Sequence, residues 1–203
     1  MERVDCDLLL DVGANRGQFS LMARHVRPGL PICAYEPLTE EAEIFRRCLR
    51  GEAGVSLHCV ALGETAGLAP MHISRRADSS SMLPIGRRQT EIFPDTEEVA
   101  TRAVPVVPLD ERAADWQAAR RALLKIDVQG FELAVLRGAR AALTHCQYVY
   151  VECSDVPLYV GQALFPEIAD YLSTAGFRLL SRENESFANG VPVQADALFS
   201  RYG

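Results

Sequence analysis

The chain has 203 residues, 48% hydrophobic and 24% charged, enough for one globular domain with a sizeable core. No apolar run approaches the roughly 18 to 20 residues of a membrane helix, and the opening "MERVDCD" has neither the basic head nor the apolar core of a secretion signal, so the expectation is a cytoplasmic protein with no membrane partner. The net charge of −6, with acids and bases mixed along the chain, argues against a nucleic-acid partner, whose phosphates are held mainly by Lys and Arg.

Leu8–Asp11 reads as a strand that turns sharply, through Gly13 and Gly17, into a helix with Phe19, Met22, Ala23 and Val26 on one face. Pro31–Glu36 is a second strand. Thr39 is placed to cap a helix whose buried face is Ala42, Phe45 and Leu49. Val55–Leu62 is a third strand. Residues 66–107 form an irregular insertion with two strand-like stretches, Ala66–Arg76 and Thr101–Val107. Between them a polar segment with Ser79, Ser80 and Ser81 is expected on the substrate side.

Regular alternation resumes with a helix over Pro108–Ala119, a strand at Ala122–Asp127, and a helical face of Leu133, Leu136, Ala139 and Leu143. Gln147–Glu152 is a fifth major strand. The next helix carries Phe165, Ile168, Leu172 and Ala175 and ends at Gly176. Phe177–Ser181 and Ala195–Ser200 close the chain without an intervening helix, which implies an antiparallel edge hairpin. The pattern predicts a single α/β domain over residues 1–203, with a mostly parallel sheet and helices on both faces. The six cysteines form no CxxC pair and the four histidines no HxxxH pair, so the thiols are expected reduced and no metal site is predicted.

Asp11, Glu36, Ala61, Asp127 and Glu152 lie at or near strand ends, where open α/β sheets bind ligands. The first turn reads DxGxxxG, with Asn15 where a dinucleotide fingerprint wants glycine. An acid immediately before it repels pyrophosphate but suits the ammonium of S-adenosylmethionine (SAM). Glu36 follows Gly17 by 19 residues (36 − 17) and is placed to accept ribose hydroxyls, with Ala61 and Leu62 walling the adenine. A nicotinamide dinucleotide, and with it an NAD(P)-dependent oxidoreductase, stays open as the alternative. So does a SAM-binding protein without activity.

The segments "LLLDVGANRGQFS", "YEPL", "VALGETAG", "SSSML", "VPLDE", "LLKIDVQGFELAVLRGA", "VYVECS", "LYVGQ", "AGF" and "DALFSR" occur in this order, from about Asp7 to Arg201. Together they resemble the FkbM family of SAM-dependent methyltransferases; the sixth is the most specific to it. The resemblance implies the Rossmann-like class I methyltransferase fold with seven strands, and O-methylation of hydroxyls on sugars, glycans or natural-product small molecules. It also implies SAM contacts from Asp11, Gly13, Asn15, Glu36 and the Ala61–Leu62 region. Many relatives carry N-terminal helices that help cover the site, whereas only seven residues precede the first strand here. For an alcohol nucleophile a general base contributes roughly 10²–10⁴-fold. Asp127 is the first candidate, exposed by the turn at Gly130. Glu132 is the second, or else a residue that stabilises a helix start. Lys125 reads as a structural ion-pair partner, and Tyr159 as a packing or substrate-lining aromatic.

Overall fold

The computed structural model describes residues 4–202; positions 1–3 and 203 of the expected domain, and with them the start of the opening "MERVDCD", lie outside the described residues. In chain order the elements are β1 (Leu8–Val12), α1 (Gln18–Val26), β2 (Ile32–Tyr35), α2 (Thr39–Cys48), β3 (Val55–His58), β4 (Ala61–Leu62), β5 (Gly67–Ser74) and α3 (Arg87–Ile92). They continue as β6 (Glu98–Val107), α4 (Ala113–Trp116), β7 (Ala122–Ile126), α5 (Glu132–Arg137), α6 (Arg140–Leu143), β8 (Cys146–Ser154), α7 (Phe165–Thr174), β9 (Phe177–Ala188) and β10 (Val191–Arg201). No helix among the described residues is long and apolar enough to cross a membrane.

Seven strands form one sheet in the order β3-β2-β1-β7-β8-β10-β9. The pairs from β3 to β8 are parallel, and β10 runs antiparallel to both neighbours. The expected mostly parallel sheet with an antiparallel edge hairpin is the one that forms. Strand side chains alternate between its faces. Leu8, Leu10 and Val12 pack with Trp116, Leu136, Leu143 and Leu172 on one side. Leu9 and Leu123 meet Ala23 of α1 and Phe45 of α2 on the other. Strand order reverses between β1 and β7, which places the crevice beyond their carboxyl ends.

Several elements differ from the sequence expectation. The third strand ends at His58, where the carbonyl accepts the Glu36 N–H. Ala61–Leu62 then pairs with β6 in a second, three-stranded sheet ordered β4-β6-β5. The apolar run is continuous in sequence but changes partner in space. The insertion is therefore built on a sheet, with Ala61, Met71, Val104 and Val106 as its core. Thr39 does not cap α2: Leu38 holds the cap position, and its N–H goes to Glu36 Oε1 at 2.8 Å.

The expected helix over 108–119 shrinks to a 3-10 turn and the single turn of α4; the Asp110 N–H goes to the Gly138 carbonyl (3.0 Å), and its carboxylate accepts the N–H groups of Ala141 (3.0 Å) and Ala142 (2.9 Å) at the start of α6. The helix expected through Leu143 breaks in two at Gly138, where any Cβ would sit 1.9 Å from the Gly63 carbonyl oxygen. The final hairpin is much longer than expected. Its strands meet at Asn189–Gly190, both at positive φ, as a tight right-twisted turn requires.

Candidate functional site

A cavity of about 460 Å³ opens at the carboxyl ends of β1, β2 and β7. That size falls in the range of small-molecule sites. Gly13, Ala14 and Asn15 form its floor, and Tyr35, Glu36, Pro37 and Leu38 line one wall with Ala61 and Leu62. Asp127, Val128 and Gln129 rise from the end of β7 opposite them. Ala77, Asp78, Ser80 and Met82 of the insertion also line it.

Five of the expected cofactor residues therefore meet in one place: Gly13, Asn15, Glu36, Ala61 and Leu62. Asp11 and Gly17 do not reach the wall. Asp11 is fully buried beneath it, accepting Ser20 Oγ at 2.6 Å and facing Lys125 Nζ at 3.1 Å. The ammonium directs its hydrogen bonds to the carbonyls of Gly13 (2.8 Å) and Val12 (3.3 Å), so the contact with Asp11 Oδ1 is an ion pair without hydrogen-bond geometry. Burial works against the Lys125 charge, but the carboxylates of Asp11 and Asp127 prevail and its pKa is raised. The trio locks α1, β1 and β7 together below the turn, as expected for Lys125. Gly17, at φ +91°, packs against Phe45.

Gly13 is glycine for a reason other than room for a ligand. At φ +73°, a Cβ there would lie 1.8 Å from the backbone oxygen of Asp127. The first turn and the candidate base are thus in backbone contact. Asn15 has a positive φ of 48°, and its N–H donates to Glu36 Oε2 at 2.9 Å. Each Glu36 oxygen so accepts one backbone donor and keeps lone pairs for hydroxyl groups. Burial pushes this carboxyl up to about 7, although the amides of Leu38 and Asn15 pull the other way.

Asp127 lines the cavity with its side chain 39% exposed. Glu132 does not line it. Its Oε1 accepts the N–H groups of Gly130 (2.9 Å) and Val128 (3.3 Å), bracing the turn from beneath, and burial pushes its carboxyl up to about 7. Glu132 stands in the first turn of α5, the helix-start position that was the second of its expected roles. Burial, reinforced by the carboxylates of Asp127 and Glu132, holds Glu152 well above the usual carboxylate range.

Gln129 is the residue that sequence reasoning missed. At φ +56°, its side-chain nitrogen donates to Asp127 Oδ1 (2.9 Å) and Glu152 Oε2 (2.6 Å), and its side-chain oxygen faces the Tyr159 hydroxyl at 2.8 Å. The same hydroxyl lies 3.0 Å from the Ser79 carbonyl, and Ser81 Oγ donates to the Gln129 backbone oxygen at 2.6 Å. Ser79, Ser80 and Ser81 are buried, pinned against the site. The "DVQG" order around Gly130 was the available signal: a left-handed residue beside a candidate base holds its side chain in an unusual direction.

Fold and site together define a Rossmann-like class I methyltransferase. Residues 11–179 match the Methyltransferase FkbM domain, and the chain belongs to that family. It is 26% identical over 171 residues to the 2-O-methyltransferase NoeI of Sinorhizobium fredii, covering 81% of this chain and 70% of that protein. It is 28% identical over 207 residues to the 31-O-demethyl-FK506 methyltransferase FkbM of Streptomyces tacrolimicus, covering 90% and 76%. The crystal structure of a methyltransferase FkbM from Methylobacillus flagellatus superposes with a TM-score of 0.61 at 15% identity. That overlap takes in 94% of this chain and 43% of the other. A magnesium protoporphyrin IX methyltransferase from Synechocystis with bound SAM shares the fold, with a TM-score of 0.52 at 8% identity over 96% of this chain and 70% of that one.

Proposed function

We propose that this methyltransferase uses SAM to methylate a hydroxyl oxygen on a sugar, glycan or natural-product small molecule, in the cytoplasm. The observation that carries the reading is one cavity walled by two different carboxylates, Glu36 held by backbone amides and Asp127 left facing the open space. The donor set suits an adenosine without phosphate: acceptors for ribose hydroxyls at Glu36, an apolar wall at Ala61, Leu62 and Leu38, and no lysine or arginine on the wall except Lys125, which is already paired. The names of the similar NoeI and FkbM proteins, both O-methyltransferases, support an oxygen nucleophile. Six free thiols fit a reducing compartment.

Bound along Gly13, Asn15 and Glu36, SAM supplies a methyl group already activated on a sulfonium. The protein's own share is alignment and proton removal. Positioning of this kind contributes on the order of 7–11 kcal/mol. Asp127 Oδ1 is fixed by Gln129, which leaves Oδ2 to accept the acceptor's hydroxyl proton. Lys125 Nζ lies 3.9 Å from that oxygen. Asp11 acts only through Lys125 and the turn, and Glu132 only through the backbone of 128–130.

Calorimetric titration with SAM and, separately, with NAD and NADP tests the cofactor half. Saturable SAM binding with no dinucleotide binding is expected; the reverse overturns the reading. Methyl transfer from radiolabelled SAM to hydroxylated glycans and polyketides tests the acceptor half.

A further inference from the structure

Beyond Asp127 the cavity continues over the last hairpin, where Tyr150, Asn184 and Asp196 join its lining. The three side chains form a bonded trio. Asp196 Oδ2 accepts the Tyr150 hydroxyl at 2.9 Å and Asn184 Nδ2 at 2.7 Å. Asp196 Oδ1 makes no hydrogen bond among the described residues. The trio spans three neighbouring strands, β8, β10 and β9.

Asp196 pairs with Glu183 and Gln194 with Ser186, so two residues of β9, Asn184 and Glu185, face the single Ala195 of β10. That is a β-bulge, a device that re-aims a side chain and recurs beside active sites. Asn184 sits in it at φ +52°, a left-handed conformation that few residues other than glycine and asparagine adopt. The bend brings its amide onto Asp196. Phe19 and Met22 of α1 line the same part of the cavity. Phe19 packs on Tyr150 with ring centroids 5.6 Å apart, and Met22 is 37% exposed despite its place in the predicted buried face.

We infer that Tyr150, Asn184 and Asp196 form an acceptor-binding subsite that takes hydroxyl groups of a neutral, polyhydroxylated molecule at a distance from the oxygen being methylated. The inference rests on the methyl-transfer reading of the cavity. The free carboxylate oxygen and the Tyr150 hydroxyl accept hydroxyl protons, and the rings of Phe19 and Tyr150 supply an apolar face. The strand order sets the span. Asp127 directly follows β7, and Asp196 lies on β10 with β8 between the two strands. Two strand spacings put the trio roughly 10 Å to the side, farther than an adjacent hydroxyl reaches. An acceptor must therefore extend beyond a single ring substituent. Asp78, Asp127 and Asp196 all line the cavity, and their carboxylates disfavour phosphorylated or carboxylated molecules.

Saturation-transfer NMR on the protein loaded with S-adenosylhomocysteine tests this with maltose as the neutral probe and glucose 6-phosphate as the anionic one. Maltose is expected to give the strongest transfer. Tyr150→Phe, which keeps the ring, and Asp196→Asn, which keeps the shape, should each weaken maltose binding about tenfold, the size of one lost hydrogen bond to a charged group. Thermal melting reports whether each variant folds. Transfer that is absent, unchanged from the wild type in both folded variants, or stronger for the anionic probe overturns the subsite. S-adenosylhomocysteine calorimetry separates the two readings: intact nucleoside binding with maltose transfer unaffected by the substitutions removes only the subsite, while absent nucleoside binding removes the methyltransferase site itself.

Discussion

Lys125 on β7 reaches Asp11 on β1 across the point where the strand order reverses, Nζ to Oδ1 3.1 Å, with both side chains under a tenth exposed. The pair lies beneath the cavity and ties the two halves of the sheet at the position that carries the first turn. Removing one partner from a buried ion pair leaves the other charge uncompensated, which costs about 3–5 kcal/mol. Lys125→Met is therefore expected to lower the urea midpoint with an unchanged slope. Asp11→Asn added to it should restore part of the loss. A double variant no better than the single one would show that the carbonyl contacts of Lys125, rather than the charge pair, carry its role.

Asp127 and Gln129 both line the cavity, and the Gln129 side chain is bonded to Asp127, Glu152 and Tyr159. Asp127→Asn should lower kcat by roughly 10²–10⁴-fold, the contribution of a general base, with SAM affinity nearly unchanged. Gln129→Gly suits the backbone, since φ +56° is comfortable for glycine. Any loss then reports on the side chain. The expected result is a lower kcat with a smaller change in KM for SAM, because the base loses its fixed orientation. Calorimetry showing SAM affinity lost in Asp127→Asn would move Asp127 from the acceptor to the cofactor.

The alternation of apolar strands and amphipathic helices made the main sheet legible, because buried parallel strands are apolar throughout and cannot hide. Periodicity does not report a change of partner, so Val55–Leu62 read as one strand although its last residues belong to another sheet. The long hairpin was obscured for a different reason. Arg182 to Ser186 is polar on both faces because it stands at the edge, and only Asn189–Gly190 marked the turn. At the site, strand-end position picked out Glu36 and Asp127 correctly as cavity residues. The same logic placed Asp11 in the cavity, where the structure seals it against Lys125 and Ser20. Gln129 was hard to single out because, beside the turn at Gly130, an uncharged amide carries little chemical signature until its neighbours are known.

Glu132 makes stability depend on pH. Burial raises its carboxyl from the ordinary range to about 7, so the folded state binds a proton that the unfolded state has released between about pH 4.5 and 7. Stability contributed by the protonated form is complete at the acid end of that window and is lost as pH rises through 7. A shift of this size corresponds to about 3 kcal/mol. Glu132→Gln keeps an oxygen for the amides of Val128 and Gly130 and carries no charge. Denaturant unfolding at pH 5.5 and pH 8 should show a smaller drop in the variant than in the wild type. An equal drop would assign the pH dependence to Glu36 and Glu152 instead.

Glu36 couples the cofactor to protons. Its buried carboxyl, raised to about 7, is partly protonated at neutral pH in the free protein. Ribose hydroxyls that donate to it favour the ionised form, so binding should release protons and affinity should rise as pH climbs through 7. Titrations of S-adenosylhomocysteine in buffers of different ionisation enthalpy measure the proton number directly. Glu36→Gln puts an amide nitrogen against one of the two backbone donors, Leu38 N–H or Asn15 N–H, and loses that hydrogen bond. It should weaken binding about 10- to 100-fold, the cost of one or two hydrogen bonds to a charged acceptor, and abolish the proton release. Weak binding with the release intact would assign the titrating group to another carboxyl of the cavity and leave Glu36 as a purely structural clasp between Asn15 and Leu38.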